Sequence, residues 1–275
     1  MTTTPSTQKF RHIEPRLQGR VAVVSGASSG IGRAIAARLA AEGAKVVCGD
    51  LRRETSAGGL DPKSPVDEQI TAAGGEATFV EWDITDVAQT AAAFDVAREK
   101  YGRVDIVVAN AGIVDQSALA VPDELPQTWR RHLDTNLTGT WNTVQHGLRA
   151  LIDQGEGGRI ITISSASALK GLKGFSGSYG AAKAAIIQLT RQAAVEGGPY
   201  GITANSVAPG WVRTAINAVA WRDNPDMIEH VLANQALDRL GEADEVAGAV
   251  AFLASDDGGF TTGIVLPVDG GMTNV

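Results

Sequence analysis

The chain has a single cysteine among its 275 residues, Cys48, so an internal disulfide is excluded, and the apolar run around it marks an inert buried thiol. Positive charge is also short. A net charge of −7 and a pI near 5.1 lack the concentrated basic surface that nucleic acid or an anionic membrane requires, so the expected partner is a small molecule. The histidines, His12, His132, His146 and His230, are scattered without metal-ligand spacing, and no metal is assigned. No apolar stretch approaches the length of a membrane span, and residues 1–19 lack the apolar centre of a secretory signal. The cytoplasm is the expected location, with residues 1–18 a mobile or surface-lying arm rich in Thr, Ser, Gln and charge.

What the sequence does contain is a regular alternation. With 44% hydrophobic residues and this length, it can bury a sizeable core. Val21–Val24 reads as a buried strand, then Ile31, Ala34, Ile35 and Leu39 recur at helical spacing until Gly43. Further strands are expected at Val46–Cys48, Thr78–Val80, Val104–Ala109, Arg159–Ile163 and Ile202–Val207, with helices between them. One long helical region should run from Leu125 to Asp153, and residues 54–66, with Gly58, Gly59, Pro62 and Pro65, read as a surface insertion. This pattern implies one doubly wound α/β domain over 19–275, with a parallel sheet of about seven strands covered by helices on both faces.

Two stretches carry chemistry. The first strand–helix turn is Ser25-Gly26-Ala27-Ser28-Ser29-Gly30-Ile31-Gly32, whose glycines permit positive φ and let a pyrophosphate approach a helix N-terminus. Asp50 follows 18 residues after Gly32 at the end of the second strand, where a carboxylate can meet an adenosine ribose. The second stretch is Tyr179-Gly180-Ala181-Ala182-Lys183, which puts a phenol and an ammonium one helical turn apart on one face. An adjacent cation favours phenolate and would draw the Tyr179 pKa down, making it a candidate general acid/base. Ser164 and Ser165 end the β-branched run Arg159–Ile163, where open α/β sheets place their sites.

With these motifs the chain from Leu17 to Gly271 resembles the short-chain dehydrogenases/reductases in their compact, NAD-type form. The resemblance implies a Rossmann fold and an NAD-dependent interconversion of a secondary alcohol and a ketone. Gly26, Gly30 and Gly32 match the family's glycine pattern, with Ser28, Ser29 and Ile31 in the same turn and Leu51 beside Asp50. Asp83 with Ile84 resembles the adenine contact, Asn110-Ala111-Gly112 the motif after the fourth strand, and Pro209, Gly210, Val212 and Thr214 the loop along the nicotinamide. The implied catalytic set is Asn136, Ser165, Tyr179 and Lys183. In it Lys183 also holds the nicotinamide ribose, Ser165 hydrogen-bonds the substrate oxygen, and Asn136 anchors a water in a proton relay.

The chain departs from the family pattern in two places. The usual spacing would put the catalytic serine at Ala166, which has no hydroxyl; one residue inserted within Gly171–Gly177 restores Ser165, with Ser164 and Ser167 as alternatives. The insertion at 54–66 lies near the adenosine end. NAD is expected over NADP because Asp50 would repel a 2′-phosphate and Ser29 stands where NADP users in the family carry a basic residue; Arg52 and Arg53 are the counter-indication. Leu169, Leu172, Phe175, Trp211, Val212, Ala220, Trp221 and Met227, partly in a mobile lid at about 211–236, suggest an uncharged, hydrophobic substrate, although Arg213 and Arg222 leave room for a carboxylate. The resemblance also implies a homotetramer, with Ala184, Ile187 and Ala194 as apolar contact material. A non-catalytic nucleotide-sensing domain and a sugar-nucleotide epimerase or dehydratase are the alternative readings.

Overall fold

The computed structural model describes residues 15–55, 61–114, 126–172, 177–214 and 226–274. Its strands are β1 (Val21–Ser25), β2 (Lys45–Asp50), β3 (Ala77–Glu81), β4 (Ile106–Ala109), β5 (Gly158–Ile163), β6 (Ile202–Pro209), β7 (Val212–Arg213), β8 (Gly241–Glu242) and β9 (Val265–Val268). The helices are α1 (Gly30–Ala41), α2 (Val66–Ala72), α3 (Val87–Tyr101), α4 (Pro126–His132), α5 (Thr140–Gln154), α6 (Gly177–Gly197), α7 (Asp226–Leu232) and α8 (Ala243–Ala254). Seven strands form one sheet in the order β3-β2-β1-β4-β5-β6-β9, and every pairing in it is parallel. The chain winds outward from β1 to β3, returns to β4 beside β1, and winds the other way. The loops after β1 and β4 therefore part and leave a crevice at the carboxyl ends of the strands.

A strand covered on both sides must be apolar at every position, and Val21, Ala22, Val23 and Val24 are all buried. Alternation then sends them to two cores. Ala22 and Val24 pack with Ile35, Leu39, Val250 and Leu253 of α1 and α8. Val21 and Val23 pack with Phe94, Ala97, Leu151 and Ala193 of α3, α5 and α6. Helix ends carry their own signals: Asp86 caps α3 by accepting from the N–H groups of Ala88 and Gln89, and Gly102 ends it in the left-handed region at φ +82°.

Three features depart from the sequence reading. The single long helix expected from Leu125 is α4 and α5 joined by a π-helical turn at Leu133–Gly139; residue 125 lies outside the described residues. Within this turn Gly139 sits against Ile84 with no room for a side chain, and the Asn136 amide is hydrogen-bonded to the backbone of Ile113. Leu17, assigned to the arm, is in the core, and the Leu17 N–H donates to the Glu42 carbonyl at 2.9 Å. Ile187 and Ala194, expected as contact material between copies, are already buried within the chain, whereas Ala184 is exposed.

Among the described glycines the closest packing is at Gly32, where a Cβ would overlap the Gly26 carbonyl oxygen and the Asn110 amide. Gly32→Ala should cost about 3 kcal/mol of stability, since neither neighbour is the free end of a flexible chain. Urea unfolding followed by circular dichroism checks this; an unchanged midpoint would show that α1 can shift away from β1.

Candidate active site

The glycine turn joins β1 to α1, with Gly26 at φ +68° and Gly30 at φ +53°. The motif after β4 clasps it. Asn110 Nδ2 donates to the carbonyls of Ser25 at 3.0 Å and Gly26 at 3.1 Å, and the N–H groups of Asn110 and Ala111 donate to Ser25 Oγ at 3.1 and 3.2 Å. Ser28 N–H donates to Asp50 Oδ2 at 3.0 Å, while Leu51 N–H donates to Asp50 Oδ1 at 2.8 Å. Burial pushes the Asp50 carboxyl above its ordinary range, and the Ser28 and Leu51 donors pull it back. Thr214 lies beside Gly30, Ser29 is the extended N-cap residue of α1, and Ile31 packs against the core. Asp83 accepts from Thr85 N–H at 2.8 Å and from Thr85 Oγ1 at 2.7 Å, whereas Ile84 is buried under Gly139. Pro209 ends β6, Gly210 N–H donates to the Val268 carbonyl at 3.0 Å, and Val212 is buried.

The second cluster stands across the crevice. Ser165 follows β5, and Tyr179 and Lys183 lie one turn apart on α6. Of the three candidate serines, Ser165 is hydrogen-bonded to the Tyr179 phenol. Ser165 Oγ also receives Ser167 N–H at 3.2 Å and Ser167 Oγ at 3.0 Å, while Ser164 Oγ is buried without a partner. Lys183 is buried, its Nζ donates to the Ile163 carbonyl at 2.9 Å, and it stands 5.8 Å from the centre of the Tyr179 ring. Asn136 and Lys183 converge at Gly112, where a Cβ would lie 2.9 Å from Asn136 Oδ1 and 3.3 Å from Lys183 Nζ. Asn136 grips the chain after β4 at both ends of its amide: Ile113 N–H donates to Oδ1 at 2.8 Å, and Nδ2 donates to the Ile113 carbonyl at 2.9 Å.

One electrostatic expectation is reversed. The Tyr179 phenol is raised, because desolvation is the largest influence on it, and the Ser165 hydrogen bond is what lowers it. The neighbouring ammonium is itself lowered to about 8 by burial. His132 escaped the sequence reading. It is fully buried at the end of α4, with Nδ1 2.7 Å from Ser178 Oγ and its ring edge-on to Tyr179 at 6.0 Å between centres. Asp61, within the insertion, was missed as well: Gly30 N–H donates to its Oδ2 at 3.0 Å. No local signal marks either residue, since both contacts cross between distant parts of the chain. Phe175, Ala220, Trp221 and Arg222 lie outside the described residues, as does the Met227 side chain. A cavity of about 400 Å³ lined by Trp211, Gln235, Arg239 and Asp269 contains none of Ser165, Tyr179 or Lys183.

Residues 26–273 match the family profile described as enoyl-(acyl carrier protein) reductase. The chain belongs to the short-chain dehydrogenase/reductase family. It is 41% identical to cis-4-hydroxycyclohexanecarboxylate dehydrogenase of Sinomonas cyclohexanicum, over 93% of this chain and 97% of that one. It is 40% identical to L-rhamnose 1-dehydrogenase (NAD(P)(+)) of Azotobacter vinelandii, over 92% and 96%. A short-chain dehydrogenase from Mycobacterium paratuberculosis solved with NAD superposes with a TM-score of 0.82 at 37% identity, covering 94% of this chain and all of that one. The chain is thus an NAD(P)-dependent oxidoreductase that interconverts alcohols and ketones. Its glycine turn fits the dinucleotide such enzymes use: a backbone amide of α1 already holds an anion, the Asp61 carboxylate.

A buried ammonium lowered to about 8 carries a stability cost with a definite pH dependence. The cost is full below about 8 and is relieved as pH rises towards the ordinary lysine value of 10.5, because the unfolded chain binds the extra proton over that window. Lys183→Met should therefore raise stability at pH 7 by about 2 kcal/mol, the lost Ile163 contact offsetting part of the gain. The gain should shrink between pH 8 and 10.5. Thermal melts of both proteins across that range decide it, and a variant less stable at pH 7 would overturn the argument.

Proposed function

We propose that Tyr179 is the general acid/base of an NAD-dependent dehydrogenase acting on a hydrophobic secondary alcohol. The observation that carries this is the convergence of Ser165, Tyr179 and Lys183 at the end of β5, facing the glycine turn across the crevice. A bound nicotinamide would supply the acceptor for the hydride leaving the carbinol carbon of the alcohol, or the donor of a hydride to the ketone carbon in reduction. The phenol of Tyr179 takes the hydroxyl proton of the alcohol and gives it back in reduction. Ser165 holds the phenol in place and donates to the substrate oxygen as charge grows there. Lys183, fixed on the Ile163 carbonyl, holds positive charge beneath the phenol and holds the nicotinamide ribose, and Asn136 orients the Lys183 end of the site and anchors a relay water.

NAD is favoured over NADP by Asp50, whose carboxylate stands on the turn amide of Ser28. Arg53 is engaged elsewhere, at 2.8 Å from Asp67 and 3.1 Å from Glu68, which removes one of the two arginines that could meet a 2′-phosphate. Gly26, Ser28, Ser29, Gly30, Ile31, Gly32, Leu51, Asp83, Ile84, Asn110, Ala111, Gly112, Pro209, Gly210, Val212 and Thr214 complete the cofactor site in this reading. An apolar cluster of Ala166, Trp211, Val231, Leu240 and Met272, with Leu172 against it, favours an uncharged substrate; of the lid expected at about 211–236, residues 215–225 lie outside the described residues. Arg213 is paired with Glu242 at 3.1 Å, which weakens the case for a substrate carboxylate. A cytoplasmic homotetramer is the assembly we favour, with the exposed Trp141 of α5 and Val195 of α6 as contact material in place of Ile187 and Ala194. Among the described residues no helix is long and apolar enough to cross a membrane.

Tyr179→Phe should abolish turnover of a panel of cyclic, aryl and steroid-like alcohols while NADH binding persists, since only the proton carrier is lost. Ser165→Ala should lower kcat about a hundredfold. Near wild-type rates in the phenylalanine variant, or a hundredfold loss in Ser164→Ala but not in Ser165→Ala, would refute these roles. The ratio of kcat/KM for NAD over NADP should exceed one, and an advantage for NADP would show that Arg52 overrides Asp50.

A further inference from the structure

We infer that Asp61 competes with the dinucleotide for the N-terminus of α1 and thereby sets the enzyme's cofactor affinity. The inference rests on the proposed dinucleotide site. Gly30 is the first residue of α1, and its N–H donates to Asp61 Oδ2 at 3.0 Å across 31 residues of sequence. Local capping is absent there. The N-cap residue Ser29 makes no side-chain capping bond, and the first turn of α1 holds no acidic residue. A helix N-terminus without a local anion draws one from elsewhere, and the insertion supplies it.

The segment bearing Asp61 is tied down independently. Buried Arg33, one turn into α1, donates to the Ser28 carbonyl at 3.1 Å and to the Ser64 carbonyl at 2.7 Å, so one guanidinium joins the glycine turn to the insertion. Asp61 is also close enough to favour the charged form of Arg33. The Asp61 carboxylate is therefore held at the turn as a tethered anion. A pyrophosphate seeks the same N–H groups and carries like charge, so binding must displace the carboxylate.

Removing the competitor should tighten binding by roughly two- to fivefold, the range a carboxylate at a helix N-terminus is worth. The test is fluorescence titration of NADH, with calorimetry for ADP-ribose and adenosine, on wild type, Asp61→Asn and Asp61→Ala, each checked for folding by circular dichroism. Tighter NADH and ADP-ribose in both variants, with adenosine unchanged, is the expected result. Unchanged or weaker NADH binding would overturn the inference, the weaker case making Asp61 a support of the cofactor. An equal gain for adenosine, which has no pyrophosphate, would overturn it too. Absence of NADH binding in all three proteins would instead refute the dinucleotide site itself.

Discussion

The clasp at the end of β4 is the contact on which both halves of the site depend. Asn110 reaches towards β1 and holds the carbonyls of Ser25 and Gly26, fixing the start of the glycine turn. Two residues on, Gly112 leaves the space into which Asn136 and Lys183 converge, and Ile113 carries the Asn136 amide. The four residues 110–113 thus set the distance between the glycine turn and the Ser165–Tyr179–Lys183 cluster. Its precision comes from excluded volume, because Gly26, Gly32 and Gly112 each meet a neighbour closely enough that a methyl group would force one partner to move.

Beyond that clasp the proposed catalytic cluster is built against local stability. Desolvation raises the Tyr179 phenol and lowers the Lys183 ammonium, so both groups lean towards neutrality in the folded chain. The fold tolerates this because each polar head retains a partner: the Ile163 carbonyl for the ammonium and Ser165 for the phenol. A pair so placed responds strongly to any charge that enters the crevice.

The sheet was legible in the sequence because a strand covered on both faces leaves an apolar run such as Val21–Val24, and helices between such runs leave a recurring spacing. The glycine turn, Asp50 and the Tyr179–Lys183 pair were legible because each sits within a few residues of a strand end or a helical turn. Contacts that join remote segments left no trace. The π-helical turn at Leu133–Gly139 depends on Ile84 and Ile113, and His132 meets Ser178 across 46 residues. The direction of the phenol's pKa was misread for the same reason: sequence spacing shows a nearby lysine, whereas the desolvation that outweighs it belongs to the packed crevice.

The nucleotide end of the crevice is best understood as a set of donors already in use. Ser28 and Leu51 N–H groups are taken by Asp50, and Gly30 N–H by Asp61. In the proposed reading a dinucleotide that takes the Gly30 amide exchanges one partner for another, so that contact adds only the difference between two similar interactions. The two acids differ in what exchange demands. Asp50 projects from the end of a sheet strand, where a ribose hydroxyl can donate to it without moving it. Asp61 comes from an insertion linked to the turn through Arg33 and Ser64, and it must leave the amide if a phosphate oxygen is to have it. In the reading proposed above, selectivity among cofactors rests on the fixed carboxylate, and the strength of their binding on the displaceable one.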